Sequence, residues 1–170
     1  MHDPIMLYKL IILFMLDEAD MPLTKAQIGN FILDREYTSF LTLQQAISEL
    51  TEEKLISAQF IRNRTHLSIT PEGKESLGFF GGQINPAIKS DVHDFLQENK
   101  IEIRKEASVL ADYHRTASGE YEAHLTVKDK GVNLVDITIS VPLEETAAAI
   151  CDNWPQKNQE IYQYLIKQLF

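Results

Sequence analysis

Thr42-Leu-Gln-Gln-Ala-Ile-Ser-Glu-Leu-Thr-Glu-Glu-Lys-Leu-Ile56, with Leu67-Ser-Ile-Thr-Pro-Glu-Gly73 a short way on, is the stretch whose reading settles what kind of domain begins this chain. Leu43, Ala46, Ile47 and Leu50 recur at i, i+3, i+4 and i+7, the spacing that lines one side of a helix, so a helix capped near Thr42 is expected. The apolar run Leu55–Ile61 reads as a strand, Arg62-Asn-Arg-Thr65 as a polar turn, and His66–Thr70 as the returning strand of a hairpin. Pro71 then opens another helix, because a proline in the first turn has no N–H to leave orphaned.

Upstream, Asp3 as N-cap and Pro4 at the first helical position start a helix that is apolar on nearly every face from Met6 to Leu16. Its greasiest run, Leu10–Leu16, falls far short of the ~20 residues that span a bilayer. Asp3 and a single lysine precede the run and Asp17-Glu18 follow it, which is not the charge pattern of a secretory leader. A buried core helix that also offers a subunit contact is the expectation. Met21-Pro-Leu-Thr24 then turns into a second helix, with Thr24 and Gln27 in capping-box register. That helix runs to about Leu33 with Ala26, Ile28, Phe31 and Ile32 on its apolar side, and Thr38–Thr42 reads as a connector.

Three helices, a hairpin and a further helix is the order of a winged helix-turn-helix domain. The stretch Thr42–Ile56 resembles the recognition helix of bacterial winged-helix regulators, and Leu67–Gly73 resembles the Leu-Thr-x-x-Gly pattern that closes their wing. Lys54 departs from the pattern, which commonly has glycine after the helix. The resemblance implies a third helix in the major groove and a wing on the backbone or minor groove.

The second half changes character. Gly81-Gly82 reads as a hinge, and Pro86–Asn99 carries Ile88, Val92, Phe95 and Leu96 at helical spacing. From about Ile101 the period becomes two: Val109, Ala111 and Tyr113, then Tyr121, Ala123, Leu125 and Val127, then Val135, Ile137, Ile139 and Val141. Asp112, His114, Glu122, His124, Lys128, Asp136 and Thr138 take the opposite face, and Ser118-Gly119 and Lys130-Gly131 supply turns for an antiparallel meander. Glu144–Phe170 reads as a helical segment interrupted at Trp154-Pro155, with Ile150, Trp154, Ile161, Tyr164, Leu165 and Leu169 available to cover the sheet. The expected architecture is therefore α+β: a winged helix-turn-helix domain over 1–80, a linker and helix over 81–100, and a small antiparallel-sheet domain with flanking helices over 101–170, serving dimerisation or sensing.

Composition bounds the function. In a chain of 170 residues, 44% apolar and 24% charged, the balance is globular. Sixteen Lys and Arg against 25 Asp and Glu give a net charge of −9, which excludes a nucleic-acid coat held by bulk charge and leaves only a local basic patch. One cysteine, Cys151, forms no internal disulfide and no paired-thiolate zinc site, so a reducing compartment, the cytoplasm, is expected.

The whole chain resembles a family of Gram-positive bacterial proteins named domain of unknown function 4364. The likeness rests on Tyr37-Thr-x-Phe-Leu-Thr-Leu-Gln-Gln-Ala, on Ile69-Thr-Pro-Glu-Gly73 and on Ile150-Cys-Asp-Asn-Trp154. It implies a winged helix fused to a small α+β domain with a role in transcription, and it supplies no catalytic residues.

Candidate DNA contacts follow from chemistry. Gln44 and Gln45 project off the apolar stripe and can bond adenine bidentately, and Ser48 and Thr42 can bond any base edge. Arg62, Asn63, Arg64 and His66 form the densest basic cluster in the first 80 residues, and with Lys25 they are placed to grip phosphates. Glu49, Glu52 and Glu53 argue the other way, and seven basic against eleven acidic residues leave that region at −4. A winged-helix module that docks protein rather than DNA is the competing reading. Cys151 has no nucleophile motif around it, His114 and His124 lack a third metal ligand, and no phosphate loop or paired-acid motif occurs, so neither an enzyme nor a cofactor is expected. The expected partners are double-stranded DNA, a second copy of the chain and a small-molecule effector of the C-terminal domain; no membrane is expected.

Overall fold

The structure, a computed structural model, describes residues 3–170. The first helix, α1 (Pro4–Ala19), starts where Asp3 accepts a hydrogen bond from the Ile5 amide. A two-residue strand, β1 (Leu23–Thr24), leads into α2 (Lys25–Asp34), whose capping box joins Thr24 and Gln27 in both directions at 3.1 and 2.9 Å. Then come α3 (Phe40–Glu52), β2 (Ile56–Ile61), β3 (Arg64–Ile69), α4 (Pro71–Phe80), α5 (Pro86–Glu98) and α6 (Lys100–Ser108). A meander of β4 (Val109–Arg115), β5 (Tyr121–Asp129) and β6 (Val132–Val141) follows, and α7 (Glu144–Leu169) ends the chain. The fold is mixed α+β, with two antiparallel three-stranded sheets ordered β1-β3-β2 and β4-β5-β6.

The chain divides into two compact units, Met1–Phe60 with Arg64–Arg104 and Ile61–Asn63 with Lys105–Phe170. In the first, Leu10, Ile11, Ile12, Leu13, Met15 and Leu16 of α1 are all at most 1% exposed, and α3, α4, α5 and β3 pack around them. Burying each such side chain stabilises the fold by roughly 1.5–3 kcal/mol, so α1 is the post of this unit. The stretch expected as linker and helix belongs to this same core, through Ile84, Val92, Phe95 and Leu96, and Ile103 of α6 joins them. Tyr37 ties the connector to α5: its hydroxyl donates to Asp91 at 2.7 Å while its carbonyl accepts from the Tyr8 hydroxyl at 2.9 Å. Burial and that bond to Asp91 push the Tyr37 pKa up to about 12.

Several expected boundaries move. The cap of α3 is Ser39, not Thr42, so Phe40 and Leu41 are helical. Met21–Thr24 is more than a turn, since Leu23 and Thr24 pair with Leu67 and His66. The hairpin turns on Arg62 and Asn63 alone, both left-handed at φ 47° and 65°, the geometry of a two-residue type I′ loop. Residues 101–108, expected to begin the sheet region, are helical in α6.

In the second unit, α7 covers the apolar face of the meander with Ala147, Cys151 and Trp154 against Ala123, Leu125 and Val135. Pro155 does not interrupt this helix, although it lacks the amide that would bond one turn back. Trp154 fixes the helix at that point by donating to the Thr126 carbonyl at 3.1 Å, and Asn158 bonds back to the Trp154 and Pro155 carbonyls. Of the side chains expected to cover the sheet, Ile161, Tyr164 and Leu169 are instead exposed, because the helix continues beyond Asn158, its last buried residue.

The Thr70–Gly73 segment is a clasp. Thr70 donates its hydroxyl to the Lys54 carbonyl at 2.7 Å, its amide bonds the Leu55 carbonyl at 3.1 Å, and its side chain caps α4 by accepting from Gly73. Gly73 is required because a Cβ there would lie 2.1 Å from the Leu55 carbonyl oxygen. Lys54 itself sits at φ 61°, which explains why glycine suits its position. The Gly73→Ala variant is expected to lose about 2–3 kcal/mol, the upper range for overpacking, because the obstacle is backbone. Chemical denaturation checks this, and a loss below about 0.5 kcal/mol would contradict the clasp.

Candidate functional site

The apolar stripe of α3, made of Leu43, Ala46, Ile47 and Leu50, is buried. Leu41, Gln45, Ser48 and Glu52 therefore form the opposite stripe at i, i+4, i+7 and i+11, and all four are exposed. Leu41 is 78% exposed and its neighbour Phe40 60%. Gln44 and Thr42 are half-buried on the flank, and the Thr42 hydroxyl is 3.0 Å from that of Ser39. The outward face thus carries one apolar group and two hydrogen-bonding groups as far as Ser48, and an acid at its far end.

The remaining acids are held elsewhere. Lys9 of α1, whose side chain is only 12% exposed, lies 2.9 Å from Glu53 Oε1 and 3.4 Å from Glu49 Oε2. Burial alone would lower its pKa, but the hydrogen bond and charge of Glu53, joined by the charge of Glu49, outweigh burial and hold the ammonium above the ordinary lysine value. Glu49 Oε2 is buried without a hydrogen bond, so the nearby ammonium is what balances it. Glu49 and Glu53 are spent on the α1 contact, and Glu52 is the acid left on the outward stripe.

The other expected contacts separate. Lys25 is half-buried at the start of α2, and Arg64 is exposed on β3. His66 is 6% exposed where β3 pairs with β1, which removes it from the surface. Arg62 and Asn63 group with the second unit, where Arg62 is ion-paired with Asp152 and lies over the Tyr113 ring at 5.3 Å. A guanidinium already paired with a carboxylate has no bare charge to offer a phosphate.

Two side chains went unnoticed in sequence. Leu41 belongs to the outward stripe, a placement hidden by setting the cap at Thr42 rather than Ser39. Lys9, the lone cation in an apolar helix, had its partners announced by Glu49 and Glu53 standing one turn apart.

In the second unit, His124 Nε2 is 2.6 Å from Asp136 and His114 Nε2 is 3.5 Å from Glu122, each histidine facing its own carboxylate. No cluster of three metal-ligating side chains occurs among the described residues. Cys151 is 4% exposed, and burial pushes its thiol up, away from the thiolate a nucleophile needs. A cavity of about 190 Å³ lies in the first unit by Asp17, Asp20, Ser68 and Lys74, smaller than the roughly 300 Å³ of the least drug-sized site. No helix among the described residues is long and apolar enough to cross a membrane.

These features describe an α+β protein of two compact units, whose first unit turns a mixed apolar and amide-bearing helix face to solvent. The chain belongs to the family described as domain of unknown function (DUF4364), which matches it over residues 8–169. No curated protein and no solved structure matches it.

Replacing Lys9 by Met leaves two carboxylates facing an uncharged helix and is expected to cost about 1–3 kcal/mol, between the values for exposed and buried pairs. Because the folded pKa is raised, the Lys9 contribution is whole below the unfolded value of about 10.4 and is lost as pH rises through the folded one. The stability gap between wild type and Lys9→Met is therefore expected to be constant near neutrality and to close in strongly alkaline solution. Urea titrations across that range decide it, and a gap that widens above pH 10 would contradict the pairing.

Proposed function

We propose that this protein is a cytoplasmic, homodimeric transcriptional regulator of the winged-helix type, with α3 in the major groove of DNA and the β2–β3 hairpin along the backbone. The observation that carries the reading is the outward stripe of α3. Leu41 and Gln45 lie in its N-terminal half, the part of a recognition helix that reaches base edges, and Ser48 follows just past the midpoint. Gln45 can bond adenine through two atoms, Ser48 can bond either partner of a pair, and Leu41 offers an apolar surface to the thymine methyl. The engagement of Glu49 and Glu53 by Lys9 supports the same reading, because it takes two of the three acids of this helix and its C-cap away from approaching phosphates. Lys25 and Arg64 supply phosphate contacts in this proposal, and the second unit pairs two chains. Docking of a protein is the second reading, favoured by the exposure of Phe40 and Leu41 and by the net acidity of the region.

Selection from a pool of random duplexes with the full chain, followed by titration of the enriched duplex against salt, tests the proposal. Enrichment and a falling log K with log salt are expected. Gln45→Ala is expected to cost about 1–3 kcal/mol on the enriched site, relax one base position and leave the salt slope unchanged. Glu52→Gln is expected to strengthen binding to every duplex severalfold, since it removes a repulsion that does not depend on sequence. No enrichment at low salt, or a Gln45→Ala variant indistinguishable from wild type, would overturn the reading in favour of protein docking.

A further inference from the structure

Helix α7 carries one continuous stripe along 26 residues, and only its first half is covered. Ala147, Cys151, Trp154 and Asn158 are buried in their own unit at spacings of four, three and four. The same face continues as Ile161, Tyr162, Leu165 and Leu169, with Tyr164 and Ile166 on its flanks. Here the residues stand open: Leu169 is 83% exposed, Tyr164 62%, Ile166 51%, Tyr162 37% and Ile161 36%. Glu160, Gln163 and Lys167 lie on the other side of the helix, with Glu160 3.5 Å from Lys157, and the uncharged Gln168 borders the stripe between Ile161 and Tyr164.

We infer that this uncovered half of α7 pairs with the same face of a second copy of the chain, about a two-fold axis that crosses the helix near Leu165. The inference rests on the proposed homodimer and says which surface forms it. Area decides first. With a fully exposed side chain of this size taken as roughly 200 Å², the five exposed residues leave on the order of 500 Å² uncovered per chain. With the flanking Tyr164 and Ile166 covered along with the stripe, two chains bury up to about 1,000 Å², the least that a specific interface needs. Charge decides second. The stripe from Ile161 to Leu169 carries no ionised group, so a face meeting itself across a two-fold axis sets no like charges together, while a charged partner would find nothing to pair with. The packing of the first half shows why the stripe exists at all, since the helix buries this same side wherever it has a neighbour.

Sedimentation of the full chain at micromolar concentration tests the inference. Wild type is expected at twice the 19.4 kDa chain mass. Tyr162→Glu with Leu169→Glu is expected at the mass of one chain, its dimerisation weakened at least 100-fold, with wild-type circular dichroism. Gln163→Glu, which places the same charge across the helix, is expected to stay dimeric. Tyr162→Lys with Leu169→Lys is likewise expected to be monomeric alone, and to pair when mixed with the doubly glutamate-substituted chain. A monomeric wild type would overturn the homodimer itself. A dimeric wild type whose doubly glutamate-substituted form still dimerises, or whose oppositely charged variants fail to pair on mixing, would overturn this surface and leave the homodimer to another.

Discussion

The first unit is arranged around a helix that tolerates water on almost no side. From Leu10 to Leu16 only Phe14 is more than 1% exposed among the residues of α1, so neighbours are needed all round, and α3, α4, α5 and β3 provide them. The single cation on that helix, Lys9, must be satisfied at the edge of this core, and the Glu49 and Glu53 carboxylates of α3 satisfy it. Two constraints then fix the rotation of α3 about its own axis: the apolar stripe faces the core and the two acids face Lys9. What remains outward is Leu41, Gln45, Ser48 and Glu52. The face proposed to meet DNA is thus the remainder left by packing, and its reduced negative charge is a by-product of the α1 contact.

The Thr70–Gly73 clasp has a complementary part. It gathers the carbonyls of Lys54 and Leu55, at the exit of α3, against the start of α4, and so fixes where the hairpin leaves the helix. A segment that in sequence suggests a functional signature is here a backbone device: threonine supplies the cap and glycine the close approach. The motif bears on function only through the position it gives to α3.

Periodicity made most of the elements legible. The spacing of Leu43, Ala46, Ile47 and Leu50 located α3, and alternation located the three strands of the meander, because burial on one face leaves a direct imprint on residue order. Boundaries were lost where a cap or a tertiary bond outweighs local preference. The sequence points to Thr42 as the cap of α3, but Ser39 caps it, one turn earlier, its side chain accepting from the Thr42 amide. Pro155 reads as a break, yet the buried Trp154 and Asn158 on either side hold α7 continuous at a site where proline costs about 3 kcal/mol in isolation. The candidate site was legible in its amides and less so in its charges. Arg62 looked like a phosphate grip until Asp152, ninety residues away, claimed it, and His66 looked like surface until β1 covered it. Such pairings are long-range, and residue order near the turn carries no trace of them.

The central claim is that packing leaves one face of α3 to read the major groove. Backbone amide shifts of the isotope-labelled full chain, followed while an enriched duplex is added, test it most directly. The largest changes are expected at Leu41, Gln45 and Ser48, smaller ones at Lys25 and Arg64, and little at Glu49 and Glu53, which stay with Lys9. Saturable changes that leave Leu41, Gln45 and Ser48 unmoved, or no change at all at low salt, would contradict it.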